Sequence, residues 1–263
     1  DGGDSNGGGP IPYVYPCVGT QNNPVPFTAT NNVADPGDCP EPTEGDGWIP
    51  LENVSVQYVS NLINPNFPCL VNAFNDITQQ RLTNCIYQIY SNTFVGIDKI
   101  HNLEILSTNP LLDNNNNPVP AKSRVKPNDN TTYQIALNEV MGFEFTKEYW
   151  SSIILHELVH GFIQKNELNF SPRSRFGNIH QVMLTTWVNE IKEALLDIYP
   201  TMSEQDALCL SINEMSDMLT DDVNQTFKYQ MTQWMQQYYN VNANLLGQTT
   251  EAYSSGTKGT PCS

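Results

Sequence analysis

The chain has 263 residues and a formal net charge of −16, with 28 Asp and Glu against 12 Lys and Arg. Without a cluster of Lys and Arg to neutralise phosphates, nucleic acid is excluded as an expected partner. No run of 18 or more apolar residues occurs, which argues against a transmembrane segment, and the length suits one sizeable domain with tails.

Residues 1–10 read DGGDSNGGGP and contain nothing that builds a core, so they form a flexible tether. This composition is similar to the stretch that follows the lipidated Cys of secreted bacterial lipoproteins. It implies a lipid anchor upstream of residue 1 and an extracellular or outer-surface location. Residues 11–50 continue with Pro12, Pro16, Pro24, Pro26, Pro36, Pro40, Pro42 and Pro50, a density that forbids long helices and central strands. Residues 1–50 therefore read as tether and irregular lead-in, 51–240 as a globular domain, and 241–263 as a polar C-terminal tail that wraps back.

Within the domain, Val54–Val59 reads as a short strand and residues 70–91 as a helix, with Leu70, Phe74, Ile77, Leu82 and Ile86 near helical spacing. His101–Leu106 and Thr131–Leu137 read as strands, with a turn at Asp113–Pro118 between them. Four helices follow: 147–165 capped by Thr146, 178–198 stopping before Pro200, 203–220 starting at Ser203, and 224–240. The expected class is α+β: a small, mostly antiparallel sheet packed on the 147–165 helix, with a helical C-terminal half. The six Cys are scattered, as in a disulfide-bonded protein of an oxidising compartment. Local pairing predicts Cys17–Cys39, Cys69–Cys85 and Cys209–Cys262.

The chemistry concentrates in His156-Glu157-Leu158-Val159-His160. On a helix, residues four apart share a face, so the two imidazoles can reach one metal ion, with Glu157 as the base acting on zinc-bound water. Ile154, Leu155, Leu158 and Phe162 fall on the opposite side, so the helix is expected to pack by an apolar stripe and turn its His pair to a cleft. A catalytic zinc ordinarily has a third protein ligand. His180 is the leading candidate, because it falls within the apolar stripe Leu184, Trp187, Ile191, Leu195 and Ile198 and so points inward. Glu190 and Glu193 fall on the polar face of the same helix. Glu214 is the rival: Asn213-Glu214-Met215-Ser216-Asp217 looks like the ligand segment of thermolysin-like peptidases, but Glu214 lies off the stripe of Leu208, Ile212, Met215 and Leu219. Tyr149, Tyr229, Tyr238 and Tyr239 are candidate oxyanion donors, and Trp150, Trp187 and Trp234 read as core.

The strand Thr132–Asn138, the HELVH helix, and His180 followed by Gln181-Val182-Met183 resemble zincin metallopeptidases, most closely the SprT-like catalytic core. That resemblance covers residues 131–198. It implies zinc held by His156, His160 and His180 with Glu157 as catalytic base, and a protein or peptide substrate. Gln181 stands where that family often has Gly, and neither a basic region nor a zinc ribbon is present. The expected function is a zinc-dependent metallopeptidase. The alternatives are a non-catalytic surface-binding lipoprotein with a structural zinc, and a non-peptide amidase.

Overall fold

In the computed structural model of the protein, the described residues are 68–79, 102–113, 116–143, 145–166, 180, 183–213, 215, 229, 232–233 and 235–262, all within the unit Trp48–Ser263. The tether, the Pro-rich lead-in, the strand at Val54–Val59, residues 80–91 of the first helix, Cys17, Cys39, Cys85, His101, Glu214 and Trp234 lie outside them.

Strands β1 (Asn102–Thr108), β2 (Ala121–Lys126) and β3 (Asp129–Asn138) form a three-stranded sheet in the order β1-β3-β2. β2 runs antiparallel to β3, but β1 runs parallel to it, so the expected mostly antiparallel sheet is in fact mixed. The reason is local. β2 forms a tight hairpin with β3, and β1 is left with the other edge of β3, running in the same direction. The hairpin turn is Pro127-Asn128, and Asn128 takes φ 64°, a conformation that Asn tolerates. Asp129 anchors the returning strand by accepting hydrogen bonds from the Thr131 N–H (3.0 Å), Thr131 Oγ1 (2.7 Å) and Thr132 Oγ1 (2.6 Å). Those bonds to the charged form hold its carboxyl down at about 2.

The sheet is two-faced. Leu103, Ile105, Tyr133, Ile135 and Leu137 alternate onto one buried face. Glu104 on the other face accepts a hydrogen bond from Gln134 Nε2 (2.5 Å) and pairs with Lys126 at 3.1 Å.

Helix α2 (Lys147–Asn166) is capped as expected, the Tyr149 N–H donating to Thr146 Oγ1 at 3.3 Å. Every residue from Ser151 to Ile163 is buried. α2 is surrounded by β2, β3, α1 (Pro68–Gln79), α3 (Val188–Ile198), α4 (Glu204–Asn213) and α5 (Ala243–Ser254). The expectation of one apolar stripe opposite a cleft is thereby corrected. Its serines are satisfied: Ser152 Oγ donates to the Tyr149 carbonyl (2.8 Å), and Ser151 Oγ bonds Tyr199 Oη (2.8 Å).

His180 is helical, a π turn spans Met183–Trp187, and α3 ends two residues before Pro200. Ser203 caps α4 reciprocally, accepting from the Asp206 N–H (3.1 Å) and donating to Asp206 Oδ2 (2.5 Å). The expected polar tail contains α5, capped by Asn242, whose Oδ1 accepts from the Leu245 N–H at 2.9 Å. Leu246, Thr249 and Tyr253 at spacings of three and four give α5 one buried face within a polar sequence. Beyond it the chain does wrap back. The Lys147 N–H donates to the Thr260 carbonyl (3.1 Å), and Thr260 Oγ1 donates to Glu148 Oε1 (2.7 Å). Lys258 pairs with Asp206 at 2.6 Å, and Cys262 is disulfide-bonded to Cys69. This overturns both Cys69–Cys85 and Cys209–Cys262. α4 turns the free Cys209 into the core, while the returning tail meets the start of α1. Sequence proximity is a poor guide to pairing once a tail folds across the domain.

Candidate metal centre

One turn of α2 separates His156 from His160, and their ring centroids are 4.5 Å apart. His180 enters from the segment before α3, its ring 4.7 Å from His160 and 5.3 Å from His156. One nitrogen from each of the three lies within 4.8 Å of the others, and the Nε2 atoms of His160 and His180 are 2.8 Å apart. Tetrahedral zinc ligands at ordinary Zn–N lengths sit about 3.3 Å from one another, inside that range. All three side chains are buried, at 4%, 5% and 7% exposure. Trp187, fully buried before α3, stacks edge-on against Phe162 at 5.7 Å and braces the two segments that carry the three His.

Burial dominates the electrostatics. Desolvation, reinforced by mutual repulsion between the rings, holds His156 and His160 well below the usual imidazole range. Desolvation alone brings His180 down to about 4. All three are therefore neutral at pH 7, the form that binds metal. The buried Nδ1 atoms of His156 and His160 have no hydrogen-bond partner among the described residues. Three neutral imidazoles that bring one nitrogen each this close together in a buried site are a donor set that a divalent cation satisfies. The donor set thus fits a divalent transition metal such as zinc.

Glu157 is 9% exposed, and burial pushes its carboxyl up to about 7, opposed by a hydrogen bond with the Ser123 side chain on β2. Four residues on, Gly161 lies on the same stripe of α2. Its missing side chain is filled by Tyr133, whose Cε1 would stand 2.6 Å from a Cβ there. α2 therefore presents two neighbouring stripes: His156 and His160 toward His180, and Glu157 and Gly161 toward β2 and β3.

His156, His160 and His180 converge as the sequence predicts. Among the described residues, they are the group of metal-ligating side chains that converges; Glu190 is half-buried and Glu193 exposed, and neither joins it. The rival ligand Glu214 lies outside the described residues. Two tyrosines considered as oxyanion donors are engaged elsewhere: Tyr149 Oη accepts from Asn213 Nδ2 (3.1 Å) and Tyr239 Oη donates to the Leu184 carbonyl (2.8 Å). Tyr229 is 66% exposed. Sequence reasoning missed Ser123 and Tyr133. The available signal was Gly161 directly after the motif, which marks a close approach of α2 to an aromatic side chain on the sheet.

Comparison of the chain with protein-family models, curated proteins and solved structures finds no match.

Proposed function

We propose that the protein is a zinc-dependent metallohydrolase, and specifically a peptidase. His156, His160 and His180 hold the ion, and Glu157 serves as general base. The observation that carries this reading is the convergence of three buried, neutral imidazoles from two separate segments, with a buried carboxyl on the adjoining stripe of the same helix. When bound, the ion polarises a carbonyl and makes water acidic enough to deprotonate near neutral pH. Glu157, buried on the adjoining stripe of the same helix, would take a proton from the attacking water and return it to the leaving amine. A neighbouring cation lowers its value and favours the ionised, basic form. The Cys69–Cys262 disulfide supports an oxidising, extracellular setting. No helix among the described residues is long and apolar enough to cross a membrane.

The burial of all three His also favours a second reading, a closed structural zinc. The test separates the two. The protein is stripped with a chelator, reloaded with zinc, and assayed on a mixed peptide library beside Glu157→Gln. The peptidase reading expects one zinc per chain in both proteins and a loss of turnover of about 100-fold or more in the variant. One tightly held zinc with no turnover in either protein supports the structural reading.

A further inference from the structure

The segment that brings in His180 is held to the rest of the domain at two points. Between His180 and α3 stands the π turn Met183–Trp187. A π turn takes one extra residue into a helix and re-aims the side chains around it, which is why such turns gather at functional sites. Its side chains Met183, Leu184 and Trp187 are buried, and Trp187 meets Phe162, two residues past His160, at 5.7 Å. That apolar contact sets a distance, but burial of this kind is not directional and leaves the rotation of the segment open. The directional contact is a hydrogen bond from a distant part of the chain. Tyr239 Oη donates to the Leu184 carbonyl at 2.8 Å, across 55 residues. Leu184 stands four residues past His180, and its carbonyl oxygen, with two lone pairs, can take the phenol beside a bond within its own turn. Tyr239 is itself held firmly. It ends a second π turn, Met235–Tyr239, between the buried Met235 and Val241. The Val241 N–H donates to the Met235 carbonyl (3.3 Å). Asn240 turns the chain at φ 53°, its Oδ1 accepting from Gln236 Nε2 (3.1 Å).

We propose that Tyr239 is a positioning residue for His180: its hydroxyl, by anchoring the Leu184 carbonyl, fixes the π turn that aims the His180 imidazole at His156 and His160. This rests on the three His holding an ion, and not on the hydrolysis of peptides. The His180 ring stands 4.7 Å from that of His160, and metal–ligand bonds tolerate only a few tenths of an ångström, so a small rotation of the segment takes its nitrogen out of reach of a shared ion. Tyr239 acts through the backbone of that segment, so its effect falls on affinity for the ion and passes through His180.

The full chain carrying Tyr239→Phe, which deletes the hydroxyl and keeps the ring, is titrated with zinc against a competing chelator, alone and in a His180→Ala background. The expected result is one zinc per chain with Kd raised about 10-fold, and no further rise where His180 is already gone. Melting of the metal-free variant, expected within about 4 °C of wild type, shows that the titrated protein is folded. A Kd within about 2-fold of wild type overturns the proposal. So does an equal rise in both backgrounds, because the hydroxyl then supports the site without acting through His180. Wild-type protein that binds no zinc overturns the metal reading and the proposal with it. Zinc bound without peptide turnover, with the Tyr239 and His180 effects still coupled, overturns the peptidase reading alone and upholds the role of Tyr239.

Discussion

Replacing Glu157 with Gln in the metal-free protein separates the cost of the site from the stability of the fold. Burial raises the carboxyl from its ordinary 4.5 to about 7. A value raised in the folded state means the unfolded chain releases this proton more easily, so the contribution of Glu157 favours the fold below 4.5 and is lost as pH rises through 7. At pH 7 the ionised unfolded form is favoured over a neutral isostere by about 3 kcal/mol and the folded form by well under about 1 kcal/mol. Glu157→Gln, a permanent neutral isostere, is therefore expected to stabilise the metal-free protein by about 3 kcal/mol at pH 7, and by only about 1 kcal/mol at pH 5, where the folded carboxyl is already protonated. As melting temperatures these are gains of roughly 6–12 °C and 2–4 °C.

The comparison also exposes the imidazoles. A buried His with a depressed value is neutral in the fold and charged in the unfolded chain, so its stability is present above 6.5 and lost as pH falls toward the folded value. His180, held at about 4, costs about 2 kcal/mol between pH 7 and pH 5, close to what Glu157 returns over the same interval. These two nearly cancel in the wild type, so His156 and His160, shifted in the same direction as His180, set the sign: the wild type loses stability on acidification. The Gln variant, lacking the offset, loses it more steeply. Scanning calorimetry of both proteins in chelator at pH 7 and pH 5 reads this directly. Equal melting temperatures at pH 7, or a gap that does not narrow at pH 5, would refute the placement of Glu157 in a desolvated site.

His180→Ala is expected to weaken zinc binding by about 100-fold or more in a competition titration while the metal-free fold stays intact; unchanged affinity excludes His180 as a ligand. Gly161→Ala drives a methyl into the fully buried Tyr133 ring and is expected to cost about 1–3 kcal/mol in a denaturant melt, with a smaller loss in a Tyr133→Ala background. Cys69→Ser together with Cys262→Ser is expected to lower stability by about 2–5 kcal/mol and to open the chain after Tyr253 to proteases. Cys209, buried on α4 with its thiol pushed up by desolvation, is expected to resist an alkylating reagent until the protein is unfolded.

Most of the candidate metal centre was legible because its geometry is local. His156 and His160 are four apart on a helix whose start Thr146 announces, and the inward face of His180 followed from the stripe it shares with Leu184, Trp187 and Ile191. What the sequence hid depends on elements that meet only in three dimensions. β2, Ala121–Lys126, has Lys122, Arg124 and Lys126 on one face and no run of apolar residues on the other, so periodicity gave no signal. Its strand character comes from the Pro127-Asn128 turn and from the ladder with β3. α5 was hidden in the same way, its buried face reduced to Leu246, Thr249 and Tyr253.

These two inconspicuous elements bear on the middle and the start of the motif helix. β2 packs against the helix, and the chain beyond α5 hydrogen-bonds the first turn of α2 through Thr260, held there by Cys262. A helix buried on every side has no solvent to satisfy its early N–H groups or its carboxylates, so those partners must come from elsewhere in the chain. Glu148 illustrates this: it is 6% exposed, and both of its oxygens accept from Thr260, 112 residues away. Losing the tail contact leaves a buried carboxylate without that partner at the base of the metal helix. Thr260→Val, which deletes the hydroxyl donor and keeps the shape, is therefore expected to destabilise the fold by about 1–3 kcal/mol while leaving zinc stoichiometry at one. A loss of zinc in proportion to the loss of the Thr260 contact would instead mean that the tail shapes the metal centre itself.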